Sequence, residues 1–180
     1  MKNAILSLLA LLLSACSQSY LYNDDPDYAY NLPPVGSTLV LKRPVTIPAG
    51  ETRIFLQRGE QLRKSDFDRY EPSCSLEVRK LSDQPQEIEP DSFVVSKVQR
   101  LTQEVVQQPL HDGLLKVIHE GSGKPMVVHG YHLWLGSDRQ PDVLRMTCRG
   151  YFDDLTRAVP PSLNDVARSL GDYAELQLAI

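Results

Sequence analysis

The chain is short of the features by which most activities announce themselves. Its 180 residues hold three cysteines, one tryptophan and four histidines. The cysteines do not form a CxxC pair, the spacing that favours a redox centre. There is no basic block. Asp and Glu outnumber Lys and Arg by 23 to 19, which gives a net charge of −4, so a nucleic-acid partner is not expected. No internal repeat and no low-complexity segment is present. Only one long apolar run occurs, Ala4 to Leu13, and it is about half of the 20 residues that a spanning helix needs.

What that run does contain is an address. Met1, Lys2 and Asn3 supply a basic start, and the apolar stretch ends in Leu13-Ser14-Ala15-Cys16. Length and flanks suit a secretory leader, and small residues suit a cleavage point. Leu13-Ser14-Ala15-Cys16 resembles the lipobox of bacterial lipoproteins. The resemblance implies cleavage of residues 1–15 and a palmitate-type lipid on Cys16, which becomes the first residue. It also implies sorting to the outer membrane of a Gram-negative cell, because Ser17 rather than Asp follows the cysteine. Several acyl chains, each buried CH₂ worth about 0.8 kcal/mol, hold a protein firmly. Loss of Lys2 with the leader takes the charge from −4 to −5. A body of that sign is repelled by anionic headgroups, so the membrane is reached through lipid alone.

Residues 16–36 read as a lipidated tether. Asp24, Asp25, Pro26, Asp27, Pro33 and Pro34 oppose regular structure. Four of the eight tyrosines, Tyr20, Tyr22, Tyr28 and Tyr30, also fall here, which is unusual for a disordered linker. The rings either pack back on the domain or, as at Tyr22 and Tyr28, contact an envelope partner. A coil of this length reaches roughly 25 Å. The acidic residues lack the glycine and distant glutamate of a calcium loop.

A single β-rich domain is expected over residues 37–180. In "CSLEVR", Cys74, Leu76 and Val78 share one face; in "LRMTCRGYF", Leu144, Met146, Cys148 and Phe152 do, while Arg145, Thr147 and Arg149 face away. Such alternation marks half-buried strands. Both cysteines then point inward, in a compartment that oxidises thiols, and a Cys74–Cys148 disulfide is expected. In "TRIFLQ", Ile54 and Leu56 alternate with Arg53 and Phe55. "DSFVVSKVQRLTQEVV" is ambiguous: Phe93 and Val95 suggest a strand, Val98, Leu101 and Val105 a helical face, and a strand is chosen for its first half. "LLKVIHE" and "MVVHGYHLWLG" flank "GSGKP" as a hairpin. Ser162 with Asp165 after Pro160-Pro161 opens a helix that Gly171 closes, and "ELQLAI" ends the chain as a short strand. The class is therefore mainly β, an antiparallel sandwich or small barrel with a C-terminal helix. The Cys, Trp and Cys spacing does not fit an immunoglobulin domain.

No catalytic constellation is legible. His129 and His132 lie three apart, so on a strand they point to opposite faces. With His111 and His119 they are read as surface or partly buried side chains, not metal ligands. "GSGKP" lacks the glycine and Ser/Thr of a phosphate loop, and Ser122 lacks the glycines of a nucleophile elbow. Asp153 and Asp154 cap a turn. Arg145 and Arg149 form a row that could meet an acidic partner. "RPVTIPAGETRIFLQRGE", "YEPSCSLEVR" and "CRGYF" resemble short proteobacterial lipoproteins of unknown function, a resemblance that carries no site residue over. The expectation is a non-enzymatic, cofactor-free envelope lipoprotein facing the periplasm that binds or scaffolds another envelope component. The alternatives are a glycan or small-ligand binder using Trp134 or Tyr131, and an inhibitor of a host lysozyme or protease.

Overall fold

The computed structural model describes residues 23–104 and 126–179. The chain is mainly β, with an antiparallel half-barrel sheet and one helix near the C-terminus. The strands, in chain order, are β1 (Thr38–Leu41), β2 (Val45–Ile47), β3 (Arg53–Gln57), β4 (Glu60–Leu62), β5 (Ser73–Val78), β6 (Gln86–Ile88), β7 (Asp91–Glu104), β8 (Met126–Gly136), β9 (Val143–Arg149), β10 (Asp153–Asp154) and β11 (Ala174–Gln177). The main sheet runs β11-β1-β7-β8-β9-β5-β3-β4, with β10 beside β8, and β2 pairs with β6 as a separate ribbon.

One face of the sheet carries the core. Leu39, Ile54, Leu76, Phe93, Leu133 and Met146 are fully buried there. The ribbon adds Val45, Ile47 and Ile88, and the helix adds Val166 and Leu170. The Cys74–Cys148 disulfide forms as expected, between residues directly opposite each other on β5 and β9.

Helix α1 (Leu163–Leu170) is built as its sequence reads. Ser162 accepts from the Asp165 N–H and the Asp165 carboxylate accepts from the Ser162 N–H, which satisfies donors the first turn leaves orphaned. Gly171 ends it with φ 52°. A Cβ there would lie 2.4 Å from the Gly59 Cα, so the helix end touches the β3–β4 turn backbone to backbone. Within the described half of the tether, Asn31 is buried and donates to the Asn23 and Asp25 carbonyls. The Pro26 carbonyl and Asp27 carboxylate accept from Asn164 at the start of α1.

Three expectations change. The segment after Asp91 is a single 14-residue strand, and its apparent helical phase is a β-bulge. The register shifts between Val95 and Lys97, so Phe93, Val95 and then Val98 face inward while Leu101 turns to the other side. An extra residue flips every following side chain. A second shift, between Glu77 and Val78, sets Val143 rather than Leu144 inward. The strand ends at Arg149, so Phe152 leaves the core face. Strand β8 is flanked by β7 on one side and by β9 and β10 on the other. The expected hairpin arm with His119 and its "GSGKP" turn lie outside the described residues, as do Cys16, Tyr22, Val105 and His111.

Candidate functional site: a cationic sheet face and cleft

The alternate side chains of β3, β5, β9, β8 and β7 form rows across the face opposite the core. Register puts Arg53, Glu77, Arg145, Trp134 and Lys97 side by side. The next row is Phe55, Ser75, Thr147, His132 and Gln99, and the third contains Ser73, Arg149, Gly130 and Leu101. Strand alternation leads one to expect solvent here, yet Ser75 and Thr147 are each 3% exposed and Glu77 9%. Arg53 and Arg145 close over Glu77, and the loop after β4 lays Phe67 on Phe55 in the row of Ser75 and Thr147.

Charge on this face is unbalanced. Glu77 accepts from Arg53 Nη2 at 3.0 Å on one oxygen and from Arg145 Nε at 2.7 Å on the other. Arg145 also lies over the Trp134 ring, 5.3 Å from its centroid, with Lys97 Nζ at 5.7 Å. These are cation–π distances. Trp134 Nε1 donates to Gln99 at 3.4 Å, and His132 Nδ1 meets Thr147 Oγ1 at 2.7 Å. Burial first, then Arg145 and Arg149, hold the His132 imidazole below its ordinary value.

Arg149 stands apart. Its Nε is buried and finds no hydrogen-bond partner among the described residues. Burial, followed by the Arg53 and Arg145 guanidiniums, pulls its pKa down, and Glu77 opposes this. Arginine nonetheless stays charged. Glu77 already serves two guanidiniums, and among the described residues no carboxylate forms an ion pair with Arg149.

Arg149 lines a cleft of about 720 Å³ with Arg53, Lys64, Arg69, Phe55, Phe67 and Phe152; Glu51 and Glu104 also line it. The loop after β4 brings Lys64, Phe67 and Arg69 over the sheet. Gln57, 2% exposed, fastens that loop: Nε2 donates to the Asp68 carbonyl at 2.9 Å and to those of Glu71 and Pro72 at 3.3 Å, and Oε1 accepts from the Asp68 N–H at 2.9 Å. The Phe67 ring stacks on Phe55 with centroids 4.3 Å apart. The Phe152 N–H donates to the Arg69 carbonyl.

The residues singled out from sequence divide accordingly. Arg145 and Arg149 share the face, but Arg145 is tied to Glu77 and Trp134 while Arg149 opens on the cleft. Tyr28 is 42% exposed, tilts against Tyr30, and is not part of the cleft wall. Tyr131 is 0% exposed and points into the core, so it cannot be a stacking platform. Trp134 has both neighbours on its ring already. His129 bonds Thr102, away from His132, and among the described residues no three His, Cys, Asp or Glu side chains converge on a metal position. Arg53, Lys64, Arg69, Phe67 and Phe152 were not singled out. The "TRIFLQ" alternation does put Arg53 and Phe55 on one side; nothing local in the sequence brings the loop to meet them. Comparison with protein-family models, curated proteins and solved structures found no match.

Proposed function

We propose that this chain is a lipid-anchored, non-enzymatic binding protein of the bacterial outer membrane, which engages another envelope component at the cleft beside Arg149. The observation that carries this reading is an unneutralised, half-buried guanidinium set among phenyl rings in a ligand-sized cavity. Small-molecule sites have volumes of about 300–1,000 Å³ and a few placed polar groups in a largely apolar wall. A buried cation without a partner is costly in a free protein, and such a cost is retained where binding uses it. The leader and Leu13-Ser14-Ala15-Cys16 support the anchor. The cleft's dimensions favour a compact ligand, or a small protruding group of a larger partner, over a flat protein interface.

The test is photo-crosslinking in cells, with the probe at Lys64 on the cleft and at Tyr28 as the comparison. A discrete adduct from Lys64 but not Tyr28 is expected. An adduct from Tyr28 alone would move the binding surface to the tether, and no adduct from either would remove the binding reading. Metabolic labelling with a tagged palmitate, lost in Cys16→Ser, checks the anchor.

A further inference from the structure

We infer that the cleft binds an oxyanion, phosphate or carboxylate, carried on a flat ring-shaped body, and that Arg149 is the group that grips it. The inference rests on the binding reading above and names the chemistry it left open. Four observations converge. Arg149 Nε–H is a buried donor with no acceptor among the described residues. The Arg149 side chain lines the cleft, and a guanidinium presents a planar fork that matches the two oxygens of a carboxylate or phosphate, so an oxyanion in the cleft is the group that would pair with it.

The protein cannot supply that anion from the sheet. Glu77, a carboxylate on the same face as Arg149, is bonded on both oxygens by Arg53 and Arg145. Arg53, Lys64 and Arg69 line the same cleft, so the local field is positive in a chain of net charge −4. Glu51 and Glu104 line it too. Two carboxylates beside the cations repel a long polyanion while leaving room for a single compact one. The body of the ligand is set by the walls: half-buried Phe67, which rests on the buried Phe55, and half-buried Phe152 offer ring surface against which a flat group can lie.

The experiment is an NMR titration that follows the arginine Nε–H signals. The probes are phenyl phosphate, benzoate, inorganic phosphate and benzyl alcohol. Phenyl phosphate or benzoate should shift the Arg149 Nε–H saturably, in the millimolar range that ligands of about ten heavy atoms reach. Inorganic phosphate should bind about tenfold more weakly, because it lacks the ring, and benzyl alcohol should leave the signal in place. The order of phenyl phosphate and benzoate tells a phosphate ligand from a carboxylate one. In Arg149→Met the Arg53 and Arg69 Nε–H signals, which report on the same cleft, should no longer shift with phenyl phosphate, and the variant should melt no lower than the parent, since it removes a buried donor without a partner. Arg149→Lys, which keeps the charge but loses the fork, should weaken binding about tenfold.

An Arg149 signal that moves with no oxyanion overturns the inference, as does binding that survives in Arg149→Met. An Arg149→Met protein that melts well below the parent also overturns it, by making Arg149 structural. The two readings fail separately. A Lys64 crosslink that persists in Arg149→Met leaves the binding protein standing and removes the oxyanion; oxyanion binding without any crosslink does the reverse.

Discussion

The two faces of β5 and β9 are cut from the same few residues and are stabilised in opposite ways. On the core side, Cys74, Leu76, Met146 and Cys148 lie at 0–1% exposure and are held by apolar contact and one covalent bond. On the other side, Ser75, Glu77 and Thr147 are nearly as buried, but among arginines paired to Glu77 and next to the loop that carries Phe67. The first face is neutral and closed. The second is charged, its cations outnumber its carboxylate, and it closes only in part. Burial alone therefore does not mark a core; the accounting of charge tells the two apart.

The comparison can be tested from either side. The largest effect is expected on the core face. Replacing Cys74 and Cys148 together by Ala opens a loop of 74 residues and should cost about 4 kcal/mol in the chain-entropy view, read as a lower urea midpoint. Glu77→Gln comes next. It leaves Arg53 and Arg145 half-buried without their shared carboxylate, and a loss of about 3 kcal/mol is expected. If that variant is as stable as the parent, the charged face is ordinary surface. Gln57→Ala should cost about 1 kcal/mol, because it removes the buried side chain whose hydrogen bonds hold the part-buried loop. Hydrogen exchange should rise over residues 63–72 and not in β5. The smallest effect belongs to His132. Its folded pKa lies below 6.5, so the unfolded chain takes up a proton that the folded one refuses. Stability should fall as pH drops below 6.5 and level off once the folded imidazole titrates. His132→Gln should flatten that slope in melts compared on either side of pH 6.5.

How much of this could be read beforehand follows from how local each signal is. The helix was legible because Ser162, Asp165 and Gly171 specify its ends within ten residues. The strand faces were legible wherever alternation ran unbroken, and both cysteines were placed correctly by it. Alternation failed at Ser96 and Leu144, where one extra residue shifts the phase, and at Phe152, which follows the end of its strand. It also misjudged the second face. Period-2 reasoning sends polar residues to water, whereas Ser75, Glu77 and Thr147 are buried, Glu77 beneath the Arg53 and Arg145 guanidiniums that it binds. The cleft was the least legible feature of all. Lys64, Phe67 and Arg69 reach it through Gln57, whose bonds to the loop join residues 11 to 15 positions away, and no short motif encodes that.

The attachment of Asn31, Pro26 and Asp27 has a consequence for where the protein can work. Seven positions separate Cys16 from Asn23, where the described segment begins. At full stretch they span about 25 Å. A mooring that ran free as far as Ser37 would span about 70 Å. In the proposed anchored form, the tyrosine-bearing segment from Asn23 onward is thus spent on the body rather than paid out as line. In that form the point where the tether joins the body, at Asn23, stays within about 25 Å of the lipid headgroups, so the protein would patrol the membrane surface rather than the space beyond it.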